Sequence, residues 1–501
     1  MPSVYRSLVF SFIEKFALIG VTLVSYVLIA RLLTPEEIGI YSVAAALIAI
    51  GQVVREFGVG NFLIQEKNLT KDHIRTAFGV SLLISGVLFL MVAAGAPLVG
   101  DFYKDQRMTM IVRIIALNFL VMPFCSISIA LLRRDMQFGK LTSVNVVAAV
   151  IGTAATLGLA FAKFGPQSLA WGAIAANLVT GIGAWTVRTD NKLISPSLSE
   201  WRKVLTFGSQ SAAAGIITSV AMGMNDLTVG RVLGFAPAAI ISRANGLVGM
   251  FNQQVMDAIR SVALPAFARA HRQNQPMEPI YVTSVTAVTA IAWPFYGFVA
   301  LHATGILRIM FGTQWDESAV FVPIFCLCGI LSSTYNLALT LAVAIGRNDV
   351  ASRTDLIMQP LRAIIIVIAV LMFKSLEAAA WATLVFNLIG APYIFFVKNK
   401  LVHTDAVAMW YGLISSLKVA VTCMAIPILL QIFIYNSQVV GATNILLQAL
   451  LVALVWLISI FWHGHPLCKD KTVLRLRKKV IAIMPQLDWL LPIDASVNVD
   501  D

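Results

Sequence analysis

The sequence predicts an all-α polytopic membrane protein of about fourteen transmembrane helices, with two parallel six-helix lobes around a central cavity plus two extra helices. Three observations predict it. Apolar stretches of roughly 20 residues follow one another from Leu8 to His463, the length a helix needs to cross a hydrocarbon core of about 30 Å. Hydrophobic residues make up 58% of the 501 residues and charged residues 12%, with a mean hydropathy of +0.83, whereas a soluble domain carries about a quarter charged residues. Finally, Lys and Arg concentrate in alternate connections. Barrel strands are excluded because they alternate in polarity over about ten residues, while these stretches stay apolar for about twice that.

The first stretch, 10–33, contains Glu14 and Lys15 and is followed by no small-residue cleavage site, so it reads as a spanning helix and not a secretory leader. Spans 38–60, 77–99, 111–132, 141–162 and 168–187 follow, parted by short polar connections. The connection 188–203, RTDNKLISPSLSEWRK, is among the longest polar ones and closes the first lobe, 1–200. Spans 204–230, 236–262, 280–305, 318–343, 351–373 and 376–398 form the second lobe, 201–400. Two additional helices, 411–434 and 443–463, occupy 401–465, and a basic tail fills 466–501. In that tail Lys469, Lys471, Arg475, Arg477, Lys478 and Lys479 accompany Val473, Leu476, Val480 and Ile483 at near-helical spacing. Such a segment suits an anionic leaflet surface.

An ungapped shift of 200 residues lays Leu28–Leu47 on Thr228–Leu247 with six identities, among them Arg31/Arg231 and Ser42/Ser242. Both windows hold the junction between the first two helices of a lobe. Two parallel halves related by an axis along the membrane normal is a transporter architecture.

The net charge of +12 is mostly a topology signal. With the N-terminus inside, the cytoplasmic connections and tail hold 23 Lys and Arg and the opposite side holds 7, which places both termini in the cytoplasm. No nucleic-acid partner is implied. The five cysteines form no redox pair or disulfide framework. The sequence has no phosphate loop, no HExxH and no Gly-flanked nucleophilic serine, and no loop longer than about 20 residues in which a membrane glycosyltransferase or ligase would assemble its site. Neither catalysis nor a cofactor is expected. His463 and His465 near Cys468 read as membrane-edge histidines and not as a metal site.

Charges inside spans cost about 2.5–3.5 kcal/mol each at a helix centre, so they face a cavity or one another. Glu14 and Arg55 lie at matching depth on spans 1 and 2, as do Asp226 and Arg243 on spans 7 and 8. Asp257 and Arg260 are three apart on one helix face. Arg362 falls near the centre of its span, two residues after Pro360. These groups either neutralise one another and fix helix register, or Lys15, Arg55, Arg243, Arg260 and Arg362 outnumber Glu14, Asp226 and Asp257 and make a cavity positive. A positive cavity suits an anion, and arginine forks suit phosphate oxygens.

The string ARLLTPEEIGIYS from Ala30, then EFGVG from Glu56, LIQEKNLT from Leu63 and LLRRDMQF from Leu131 resemble the first lobe of bacterial Wzx-type polysaccharide-transporter flippases. In the second half NDLTVGRVLG from Asn225, SRA from Ser242 and FGTQW from Phe311 continue the likeness, which covers roughly residues 5–400. The resemblance implies membership of the multidrug, oligosaccharidyl-lipid and polysaccharide exporter superfamily. It implies two lobes that rock to move an undecaprenyl-diphosphate-linked oligosaccharide to the periplasmic leaflet of the bacterial inner membrane, for exopolysaccharide, capsule or O-antigen synthesis. It further implies that Arg55 and Arg243 hold the diphosphate, that Lys15 stands where an arginine is common, and that Asp226 matches an acidic family position. Membrane lipids, a polysaccharide polymerase and export machinery are the expected partners. A peptidoglycan-precursor flippase or a cation-coupled drug exporter of the same superfamily is the alternative; a membrane polymerase or ligase is the alternative from another class.

Overall fold

A computed structural model gives the fold and describes residues 20–56, 58–188, 195–434, 440–469, 474 and 477. Every regular element among them is helical. In order these are α1 (Gly20–Leu32), α2 (Pro35–Glu56), α3 (Val59–Gln65), α4 (Lys71–Tyr103), α5 (Gln106–Arg134), α6 (Phe138–Phe161), α7 (Gln167–Thr186), α8 (Trp201–Val232) and α9 (Phe235–Phe251). A π-turn, Asn252–Met256, leads into α10 (Asp257–Arg272), followed by α11 (Met277–Leu301), α12 (Ala303–Phe311), a 3-10 turn, α13 (Val322–Tyr335) and α14 (Leu337–Ala344). The chain then forms α15 (Asn348–Phe373), α16 (Leu376–Leu401), α17 (Ala406–Phe433) and α18 (Ala442–Trp462).

Eleven helical segments among the described residues are long and apolar enough to cross a membrane, counting α2 with α3 and α13 with α14 as one each. They coincide with eleven of the fourteen expected spans. The other three fall on α1, described only from Gly20, on α8, and on α9–α10, whose run is interrupted by Arg243, Asp257 and Arg260. A count of fourteen is therefore not established by these helices. Their surfaces are inverted relative to a soluble protein: Leu98, Phe161, Phe433 and Leu450 are each at least 69% exposed, as side chains facing hydrocarbon are.

The chain packs as two compact units, one formed by Met1–Ile240 with Ile366–Leu376 and the other by Ile241–Ile365 with Glu377–Asp501. In the first unit α5 packs on α4 and α7, α6 on α7, and α2 on α5 and α8. Small residues allow the close approaches: a Cβ on Gly172 would collide with the Thr156 hydroxyl, the kind of contact that drives helix pairing in lipid. The TPEEIG string is a helix start. Thr34 Oγ1 accepts from the Glu37 amide at 3.3 Å while Glu37 Oε2 accepts from the Thr34 amide at 2.8 Å, with Pro35 at the first helical position. Gly39 in the next turn has no room for a Cβ against the Phe235 carbonyl. Asp105 caps α5 and binds Arg107, whose Nη2 also reaches Glu36 Oε1 at 2.5 Å. Those Arg107 hydrogen bonds hold the Asp105 carboxyl below its ordinary range.

In the second unit α11 is the central helix, packed against α13 and α17, and α18 lies on α17. Thr289, Ser416 and His465 form a buried relay: Thr289 Oγ1 donates to Ser416 Oγ at 2.8 Å, and Ser416 Oγ lies 3.3 Å from His465 Nε2. Burial pushes His465 down to about 4. His463 bonds Thr422 Oγ1 at 2.9 Å, so both tail histidines are occupied with hydroxyls. All five cysteines are free and buried. Pro360 sits within α15 without ending it. Of the tail, only Leu474 and Arg477 beyond Lys469 fall within the described residues.

Candidate functional site

The first unit builds a polar cavity at the end of α2. Gly58, with φ of 67°, turns the chain sharply into α3, a left-handed conformation that glycine adopts without strain. The turn leaves Arg55 inside at 1% exposure, while its neighbour Glu56 is 72% exposed. Their ion pair is long, 3.4 Å from Nη2 to Oε1, and the buried Arg55 Nε has no hydrogen-bond partner among the described residues. Arg55, Asn61, Ser126 and Arg133 line a cavity of about 440 Å³ whose walls include Gly60 and Gly215. Two guanidinium groups facing one carboxylate leave the cavity positive. Fork-shaped donors in a partly desolvated pocket bind carboxylate or phosphate oxygens more strongly than a solvated ammonium does.

The second unit holds three more of the expected cations. Arg243 on α9 is buried, its guanidinium 4.8 Å from the Phe311 ring centre and 4.6 Å from that of Trp315. The FGTQW string thus supplies both walls of an aromatic cage. Arg260 on α10 is two-thirds buried and joins a clasp at two helix irregularities. It donates to Asp257 Oδ1 at 2.5 Å, to Asn252 Oδ1 at 3.1 Å and to Asn336 Oδ1 at 2.6 Å. Asn252 begins the π-turn and Asn336 separates α13 from α14. π-turns inside helices recur at functional sites. Arg362 is half-buried on α15 within electrostatic reach of Cys328 and Tyr335, and the Tyr335 hydroxyl donates to Asn387 Oδ1 at 2.6 Å.

Lys15 and Glu14 lie outside the described residues. Arg55 and half-buried Asp226 belong to the first unit; Arg243, Asp257, Arg260 and Arg362 belong to the second. Within the second unit Asp257 and Arg260 are brought together as a pair. Sequence reasoning missed Arg133 as a cavity cation, because two adjacent basic residues at a helix end do not reveal in sequence which one faces inward. It missed Asn252 and Asn336 as well. Amides deep in apolar runs are costly in lipid unless bonded, and that cost was the available signal.

Eleven apolar spans among the described residues and a positive cavity in the first unit are the features of a polytopic membrane transporter. The chain belongs to the polysaccharide biosynthesis protein family, that of the Wzx-type polysaccharide transporters, whose model matches residues 28–320. It is 23% identical over 439 residues to the lipopolysaccharide biosynthesis protein WzxC of Escherichia coli K12, covering 84% of this chain and 87% of that one. It is 22% identical over 314 residues to the succinoglycan biosynthesis transport protein ExoT of Rhizobium meliloti, covering 62% and 63% respectively. Among solved structures, the lipid II flippase MurJ in an inward closed conformation superposes with a TM-score of 0.73 at 13% identity, covering 90% of this chain and 98% of MurJ. That likeness is one of fold. The chain is a multi-pass membrane flippase of this family.

Proposed function

We propose that the protein carries undecaprenyl-diphosphate-linked oligosaccharide repeat units to the periplasmic leaflet of the bacterial inner membrane, for assembly of an exopolysaccharide, capsule or O-antigen. In this reading lobes 1–200 and 201–400 alternate access to a central cavity, 401–465 adds two helices, and both termini are cytoplasmic. Arg55, Arg260, Arg362, Arg243 and Lys15 attract the diphosphate, while the sugars occupy the aqueous cavity and the lipid tail stays in the bilayer. A periplasmic polymerase takes the product. The observation that carries the reading is Arg55, a buried guanidinium on a positive cavity with an Nε that has no hydrogen-bond partner among the described residues. Burying such a group is expensive unless a charge-assisted partner arrives. The test is transport in proteoliposomes with a lipid-linked oligosaccharide as cargo. Arg55→Ala is expected to abolish transport with the protein still inserted, and Arg55→Lys to restore part of it, since lysine keeps charge but loses the fork. Wild-type transport by Arg55→Ala overturns the assignment, and equal transport of lipid II by the wild type overturns the substrate class.

Asp226 is assigned to charge balance in the cavity. Asp226→Asn, at a half-buried position, is then expected to lower abundance, because a cation that loses its counter-charge is left uncompensated. Intact abundance with lost dependence on an ion gradient would make it a coupling carboxylate instead.

A further inference from the structure

A second cavity of about 410 Å³ lies wholly in the first unit, between α4, α5 and α7. It differs in kind from the Arg55 cavity. Its floor is Phe78 and Ile127, both nearly inaccessible, and its rim is Leu120, Phe124, Leu178 and Ile182, each at least 40% exposed. From Leu120 to Ser128 on α5 and from Leu178 on α7 to Arg188 just past its end, the groove runs roughly 12–15 Å at about 1.5 Å per residue. That is about half the hydrocarbon core, the depth of one leaflet.

Polar groups gather at one end only. Because α5 and α7 run in the same direction, the end with Ser128, Trp185 and Arg188 is where both helices terminate. Arg188 is buried to 7% exposure, and its Nη1 lies 3.5 Å from Ser128 Oγ. Lys140 adds a second cation there, donating to the Val187 carbonyl at 2.8 Å. Trp185 is partly exposed beside them, as tryptophans are at the level of lipid headgroups.

We propose that this groove is a binding site for an anionic phospholipid of the leaflet on the side of the α5 and α7 C-termini. One acyl chain lies between α5 and α7, and the headgroup phosphate accepts from Arg188 and Lys140. Basic pockets between transmembrane helices select anionic headgroups in this way. A carrier-length polyprenyl chain exceeds one leaflet and overruns the groove. The site is separate from the Arg55 cavity, and its test does not depend on transport.

Native mass spectrometry of the full chain, with phosphatidylglycerol and phosphatidylcholine of identical acyl chains, reads the selection directly. The wild type is expected to retain phosphatidylglycerol preferentially. Arg188→Gln is expected to weaken that retention about fivefold, the worth of one basic residue at a membrane surface. Lys140→Gln, on an exposed side chain, carries the same expectation if Arg188→Gln does not fold. Leu120→Trp, which narrows the groove from its rim, is expected to reduce binding of both lipids, whereas Lys104→Gln at a remote exposed site leaves both unchanged. Equal retention of the two lipids by the wild type, or unchanged phosphatidylglycerol retention in Arg188→Gln and Leu120→Trp, overturns the proposal. So does displacement of phosphatidylglycerol by equimolar undecaprenyl phosphate, which would make the groove a carrier-lipid site.

Discussion

Single side chains divide the buried cations into two kinds. Arg55 borders a cavity, and among the described residues its ion pair is a long one to an exposed glutamate, a contact that a stronger acceptor can replace. Arg243 is enclosed by two aromatic faces. Its guanidinium is held in one place by packing, and changes to the cage act through that placement. Trp315→Ala opens a void at a fully buried site and is expected to cost about 3–5 kcal/mol, read as a lower thermal midpoint and lower membrane abundance. Trp315→Phe keeps an aromatic face under the cation and is expected to cost less than Trp315→Ala by the smaller area lost plus about 1 kcal/mol of retained cation–π attraction. A difference no larger than the lost areas account for would show that the ring face contributes nothing. A residue that reads in sequence as a family signature is, in the fold, a wall.

Among the elements, helix ends explain more than helix middles. The capping box at Thr34 and Glu37 fixes where α2 begins, and therefore the depth at which Arg55 emerges 21 residues after Thr34. Thr34→Ala is expected to destabilise the protein by about 1 kcal/mol, whereas Gly39→Ala meets the Phe235 backbone and costs more. Thermal unfolding of the two variants in one detergent checks that order. At the other end of the chain, His465 is buried neutral, pushed down to about 4 from an ordinary 6.5. The unfolded chain takes up this proton first as pH falls. Stability from this group is therefore intact above about pH 6.5 and declines by about 1–3 kcal/mol as pH falls from there to about 4. His465→Gln is expected to flatten the thermal midpoint across that window; an unchanged slope would remove His465 from the acid response.

For the whole molecule, the uneven distribution of Lys and Arg predicts the topology. Reporters fused after Phe164 or Lys374 should report the periplasm and a reporter on the tail the cytoplasm; a periplasmic tail would end that orientation. Much of the helical architecture was legible because a spanning helix announces itself by twenty apolar residues. Most of the eleven apolar segments lie within a few residues of where hydropathy alone put them. The breaks were not legible. Hydropathy averages over a window, so the Asn336 break within 318–343 and the π-turn within 236–262 vanish into otherwise apolar surroundings. Cavity membership was equally hidden. Arg133 and Arg134 are adjacent basic residues in sequence, yet Arg133 lines the Arg55 cavity while Arg134 ties down the Leu63 carbonyl at 2.7 Å. Which neighbour faces inward depends on helical phase, which charge counting ignores.

The π-turn makes that phase a physical quantity. An α-helix advances about 100° per residue, so one extra residue in a turn rotates everything after it by about that angle. Without the surplus residue in Asn252–Met256, Arg260 would swing about a quarter of the circumference away from Asn336. Deleting Gln253 is thus equivalent to a rotation of α10 about its own axis with almost no change in composition. Its effect should be undone by inserting one residue before Asp257 and left uncorrected by one inserted after Arg272. The helix is tuned like a thread, and a single residue sets the angle at which its arginine is presented.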